Sequence, residues 1–172
     1  MLLGSHLSIE GGLHNAAERA GEYGFRALAM FVRNQVQWRV PPLSEEDVKR
    51  FRTARRAAGI ARVVAHGSYL VNLAGLRDVR RRSIAAVKAD LDRCGRLGIE
   101  YLVLHPGVRE QRARGIRLIA DALNEILAEC PHRRPKILLE TTAGQGRSIG
   151  HRFEDLAEML ALPMPLLGDV IE

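Results

Sequence analysis

Three apolar runs in this 172-residue chain each end on a side chain able to bind a metal: Arg62–His66, Tyr101–His105 and Lys136–Glu140. Two imidazoles and a carboxylate brought to one place would suit a zinc-type ion and leave a coordination position open for water or substrate. A single histidine at a strand end more often anchors a loop by hydrogen bonding. Three ligand-type side chains at equivalent places shift the balance toward a metal.

The elements that must position them alternate regularly along the chain. Leu2 to Leu7 reads as a strand, and Leu13 to Tyr23 reads as a helix after the Gly11-Gly12 turn. Phe25 to Phe31 is a second strand, and Ser44 caps a helix that carries Asp47 at its third position and stops near Gly59. The strand ending at His66 leads through a long connection, Gly67 to Gly75, into a charged helix from Leu76 to Leu97, closed by Gly98. The His105 strand leads to a helix over Glu110 to Glu129, and the Glu140 strand to a helix over Phe153 to Leu160. About five βα units in series imply an α/β fold with a parallel sheet and right-handed crossovers. A complete eightfold barrel takes about 250 residues, so the expected architecture for residues 1–172 is a single, incomplete TIM (β/α) barrel domain. Leu166 to Glu172 offers a possible sixth strand. In such a fold the ends of all the strands share one face, where ligands gather.

Composition narrows the function classes. With 47% hydrophobic residues the chain can bury a real core. The formal net charge of +6 permits an acidic partner such as nucleic acid without identifying one. No apolar stretch approaches the roughly 20 residues of a membrane span, and Met1 to His6 lacks the pattern of a signal peptide. The expectation is a soluble cytoplasmic protein without a membrane partner. Cys94 and Cys130 form no C-x-x-C pair and read as reduced, structural thiols.

Several strings, in order, resemble endonuclease IV, the zinc-dependent apurinic/apyrimidinic endonuclease family within the xylose isomerase-like TIM barrels. They are Gly4-Ser5-His6-Leu7-Ser8 with Gly11-Gly12, Asn34-Gln35-Val36-Gln37-Trp38, His66 to Leu73, Leu104-His105-Pro106-Gly107, and Leu139 to Gly146. The resemblance covers nearly the whole chain but only the amino-terminal half, or somewhat more, of a typical member. It implies that His66 and His105 bind one zinc and that Glu140 bridges it to a second. It also implies zinc-activated water cleaving double-stranded DNA on the 5′ side of an abasic site, an enzyme of DNA repair associated with the nucleoid. Tyr69 and Leu70 match residues that wedge into the duplex, as apolar wedges do in kinked DNA. Asn34, Gln35, Gln37 and Trp38 fall in a loop that would touch DNA, although Trp38 is as readily a rim packer. His6 matches a pocket residue rather than a ligand.

Departures from the family pattern limit these expectations. Val36 stands where the family often has Arg, a loss for which Arg33 and Arg39 are candidates to compensate. The later motifs, with the ligands that would bring the zinc count to three, are absent. Glu172 at the end of the possible sixth strand is a further ligand candidate, so one first-site zinc is expected here. An open sheet edge would call for self-association or for the missing carboxy-terminal portion. His14, His132 and His151 read as surface or capping residues, and Gly144-Gln145-Gly146 as a weak phosphate-binding loop. The run Arg77, Arg80, Arg81 and Arg82 reads as a solvated helix face. Two alternatives stand beside the endonuclease: a catalytically defective zinc- or DNA-binding fragment, and a sugar isomerase or epimerase on a related barrel. The Tyr69-Leu70 and Asn34-to-Trp38 loops favour DNA.

Overall fold

A computed structural model describes residues 1–130 and 135–162. The possible strand at Leu166 to Glu172, the ligand candidate Glu172 and His132 lie outside the described residues. Strand β1 (Gly4–His6) is followed by α1 (Leu13–Glu22), β2 (Ala27–Phe31), α2 (Glu45–Ala57), β3 (Arg62–His66) and α3 (Arg77–Leu97). Then come β4 (Tyr101–Leu104), β5 (Gly107–Val108), α4 (Arg112–Glu129), β6 (Lys136–Leu139), β7 (Ser148–Ile149) and α5 (Phe153–Ala161). Five strands form one parallel sheet in the order β1-β2-β3-β4-β6, which is the expected succession of βα units and a partial barrel.

Local chemistry explains where these elements start and stop. Ser44 Oγ accepts the Asp47 N–H at 3.0 Å, and Glu45, Glu46 and Asp47 set negative charge on the positive end of α2. Gly98 adopts φ 75 after α3, so that the Ile99 N–H reaches back to the Cys94 carbonyl at 2.8 Å. That left-handed stop is one a Cβ would oppose.

Strand periodicity decides which side chains meet. Leu28, Met30, Val63, Ala65, Leu102, Leu104 and Ile137 point to the helix-covered face and are at most 2% exposed. The alternate positions of β2, β3 and β4 are only half-buried. The register pairs His6 with Ala29, Phe31 with His66, His66 with Val103, and Val103 with Leu138. Because successive side chains alternate, His6, Phe31, His66, His105 and Glu140 all fall on that second, inner face.

Several boundaries differ from the sequence expectation; β2, for one, starts at Ala27 rather than Phe25. β1 is shorter than Leu2 to Leu7, since only Gly4 to His6 pair fully while Leu2 and Leu3 are exposed and β2 is met by single hydrogen bonds at Leu3 and Leu7. α4 begins at Arg112 rather than Glu110, because Gly107–Val108 pairs antiparallel with Ser148–Ile149. This short ribbon ties together the loops that follow His105 and Glu140. Among the described residues, no helix is long and apolar enough to cross a membrane.

Candidate metal centre

His66 ends β3, while His105 and Glu140 each stand one residue beyond β4 and β6, whose last residues Leu104 and Leu139 are paired. His66 Nε2 and His105 Nε2 each lie 3.0 Å from the same oxygen, Glu140 Oε2. All three potential ligand atoms fall within 4.8 Å of one another. The His66 side chain is 16% exposed and those of His105 and Glu140 about 45%, so one side of the group is open.

Hydrogen bonding fixes what this group can hold. His66 Nδ1 lies 2.8 Å from the Gly67 carbonyl, which can only accept, so Nδ1 carries the proton. In the neutral ring Nε2 is then an acceptor, and it faces a carboxylate oxygen that is also an acceptor. Either a proton on Nε2 or a metal cation between the two atoms would resolve the conflict. A backbone carbonyl holding the remote ring nitrogen is the usual companion of a metal-binding histidine, and ligand separations of about 3 Å suit bonds of about 2 Å to a shared ion.

The neighbouring rings complete the pocket. His6 stands 4.8 Å from Phe31 and 6.0 Å from His66, centroid to centroid. Burial and the nearby His66 push its pKa down against the opposing pull of Glu140, which favours a neutral ring. Tyr69 is 59% exposed, with its ring 5.3 Å from Phe31, 5.8 Å from His66 and 6.3 Å from His105. It therefore stands over the rim of the three-residue group, with half-buried Leu70 beside it.

The loop after β2 is joined to this rim from beneath. Ser68 Oγ donates to the Gln35 carbonyl at 2.6 Å and accepts the Leu70 N–H at 3.2 Å. Asn34 is exposed, and its side-chain oxygen turns the loop by accepting the Val36 N–H at 2.9 Å. Gln37 is exposed. Half-buried Trp38 lines a groove with Arg39 and with Arg82, Ala85 and Ala89 of α3.

Arg33 corrects an expectation. It cannot stand in for an arginine at Val36, because it is 5% exposed and pairs through Nε with Asp90 Oδ1 at 2.6 Å. Its Nη1 donates to the Gln37 carbonyl at 2.8 Å, which makes it an internal brace of the loop. Val36 itself is 62% exposed. The basic run on α3 is also less uniform than a solvated face. Arg77, Arg81 and Arg82 are exposed, whereas Arg80 is half-buried and donates to the Leu118 carbonyl at 3.3 Å. His14 meets Arg50 at 2.7 Å, and His151 donates from Nδ1 to the Ser148 carbonyl at 3.0 Å, both away from the group. Cys94 is buried and Cys130 half-buried, both free thiols whose pKa burial pushes up.

Asn72, which lies within the His66-to-Leu73 string, supports the site. Its Oδ1 accepts the Val108 N–H at 3.0 Å, and its Nδ2 donates to the Val108 carbonyl at 3.1 Å. It thereby locks the loop after His66 to the loop after His105. Sequence reasoning missed Asp90, although its position between Val87 and Cys94 on the buried stripe of α3 was a readable signal.

Comparison with known proteins identifies the family and the fold. The family model of the xylose isomerase-like TIM barrel matches residues 17–162. A probable endonuclease 4 of Chloroflexus aurantiacus is 43% identical over 162 residues, 92% of this chain and 57% of the relative. One of Thermoplasma acidophilum is 39% identical over 171 residues, 99% of this chain and 59% of the relative. The chain thus spans less than two thirds of the length of these relatives. The crystal structure of endonuclease IV from Thermus thermophilus superposes with a TM-score of 0.84 at 36% identity, covering 94% of this chain and 60% of that one. A D-tagatose 3-epimerase-like protein superposes with a TM-score of 0.76 over 95% of this chain and 61% of its own, but at 20% identity this likeness shows the fold alone.

Proposed function

The chain belongs to the xylose isomerase-like TIM barrel family, and from that premise we propose that it is a DNA repair endonuclease of the endonuclease IV type. On this reading it hydrolyses the phosphodiester on the 5′ side of an abasic site in double-stranded DNA, and residues 1–172 are part of one barrel domain. The observation that carries the proposal is the convergence of His66 Nε2 and His105 Nε2 on Glu140 Oε2, each at 3.0 Å, on the sheet face where Tyr69 stands. His66, His105 and Glu140 would hold a zinc ion, a donor set of two neutral imidazoles and a carboxylate that suits it. When bound, zinc supplies Lewis acidity to a phosphoryl oxygen and lowers the pKa of water in contact with it.

The remaining roles belong to the chain's own side chains. Gly67 keeps the His66 ring in the tautomer that leaves Nε2 free, through the 2.8 Å bond to Nδ1. Tyr69 and Leu70 enter the duplex where the base is missing, a place where stacking is already lost and insertion costs little. Asn34, Gln35, Gln37 and Trp38 form the second contact loop, held against the first by Ser68. His6 lines the pocket beside His66.

The test is incision of an end-labelled duplex carrying one abasic site, against an intact duplex, with and without a chelator. The expected result is metal-dependent nicking of the abasic strand, lost in Glu140→Gln and weakened in Tyr69→Ala. Metal-dependent binding without incision would overturn the endonuclease reading in favour of a binding module. Turnover of a ketose without affinity for DNA would replace it with a sugar enzyme.

A further inference from the structure

The two loops that begin at His66 and His105 end at the N-termini of α3 and α4. Between α3 and α4, from those starts as far as Ile84 and Glu125, opens a cavity of about 460 Å³ whose charged lining is Arg77, Arg80, Arg81, Arg109, Arg114 and Glu125. Five guanidinium groups face one carboxylate there, and Glu125 already lies 3.5 Å from Lys88. Among the described residues, Arg77, Arg80, Arg109 and Arg114 form no ion pair, and Arg81 reaches only the exposed Asp78 at 3.5 Å. Like charges gathered this way repel one another unless an anion lies among them.

Two of the arginines are braced rather than free. Arg109 Nη1 donates to the Ala74 carbonyl at 2.8 Å, and Arg80 Nη2 donates to the Leu118 carbonyl at 3.3 Å. Arg80 Nε is buried without an acceptor among the described residues. The helix starts add to the field, because neither Leu76 before α3 nor Gln111 before α4 caps its helix with a side chain. Held guanidinium forks beside open backbone N–H groups match phosphate oxygens in both charge and geometry.

The shape selects among phosphate ligands. The apolar lining consists of Leu76, Ile84 and Leu118, with no aromatic ring on which a base could stack. The arginines come from the first turns of two helices and from one loop, all of which follow the strands that lead to His66 and His105. Arg109 is four residues beyond His105, a reach of about 14 Å at most. We propose that this cavity is a phosphodiester site that grips the DNA backbone a few nucleotides from the strand-end group, independently of base sequence and of metal. It rests on the reading of the chain as a DNA-acting protein, but it requires neither metal nor incision.

The test measures binding of a labelled, undamaged duplex by anisotropy in the presence of chelator over a range of salt. Arg77→Gln/Arg81→Gln/Arg114→Gln removes three exposed charges. Arg26→Gln/Arg56→Gln/Arg62→Gln removes three exposed charges at the opposite, amino-terminal end of the strands. Each phosphate contact contributes about 0.9 to the slope of log K against log salt. The first variant is expected to lose about 2 to 3 from that slope and at least about tenfold in affinity at low salt. The second is expected to change the slope by less than about 1. Thermal melts confirm that both are folded, and Arg114→Glu alone serves as the readout if the triple variant is not. An unchanged slope in the cavity variant, an equal loss in the opposite-end variant, or no salt-dependent duplex binding by the unaltered chain overturns the proposal. Arginine-dependent binding without incision would defeat the endonuclease reading alone, while incision with no arginine dependence would defeat this site alone.

Discussion

Removing Asp90 should destabilise the chain strongly, because its partner Arg33 is buried with it. Asp90 and Arg33 side chains are 1% and 3% exposed and meet at 2.6 Å, yet Asp90 Oδ2 and Arg33 Nη2 are buried without partners among the described residues. Burial raises the Asp90 pKa above its ordinary value of 3.8, against the lowering influence of Arg33 and Arg93. A raised folded value means that this carboxyl's contribution is fully present below 3.8 and is lost as pH rises through the folded value. Ionising this carboxyl therefore works against the fold, but removing it is worse. Asp90→Ala leaves a bare guanidinium inside and should cost about 3 to 5 kcal/mol. For a chain of this size that lowers Tm by about 6 to 20 °C. Arg33→Met with Asp90→Leu removes both charges and should come within about 1 kcal/mol of wild type, or exceed it. Urea denaturation of the two single variants and the double variant at pH 7 closes the cycle. A loss under about 1 kcal/mol for Asp90→Ala, or additive single effects, would refute this reasoning. Arg33→Met should also speed hydrogen exchange in the Asn34-to-Trp38 loop, because the Gln37 carbonyl loses its donor.

Gly107→Ala should lower Tm by about 4 to 8 °C, from a strain of about 2 kcal/mol. Gly107 has φ 149, and a Cβ there would stand 2.7 Å from Asn72 Oδ1, the atom that joins the two ligand-bearing loops; an unchanged melt would contradict this. Asp155 is fully buried, and although burial alone would raise its pKa, the Gly150 N–H at 2.9 Å and Arg112 at 2.6 Å pull it below 3.8. Its contribution is fully present above 3.8 and is lost as pH falls through the lower folded value. The stability gap between wild type and Asp155→Asn should accordingly be constant from pH 5 to 8 and shrink in stronger acid. A gap that persists at pH 2 would contradict this sign.

The parts legible in the sequence were those with a period or a punctuation mark. Alternating apolar strands, the Ser44 cap and the Gly98 stop are written in adjacent residues, so the order of βα units followed from local chemistry. His66, His105 and Glu140 could be found because each closes a strand, and parallel register brings strand ends together. The Arg33–Asp90 pair joins residues 57 apart, and nothing local announces such a partner. The β5–β7 ribbon is two residues on each side, too short to show a period, and it displaced the start of α4. The arginine cavity was hidden for a related reason. Arg77 and Arg81 are exposed as a solvated face would be, and only the approach of α4 with Arg109 and Arg114 turns them into a site.

The claim on which the functional account stands is that three strand-end residues hold one metal ion. Equilibrium dialysis of the metal-stripped chain against zinc, with Glu140→Gln and His105→Ala measured in parallel, tests it most directly. The account predicts zinc bound tightly by the unaltered chain at a site lost, by at least about 100-fold in affinity, in both folded variants. Zinc binding that is equal in all three proteins, or absent from the unaltered chain, would contradict it.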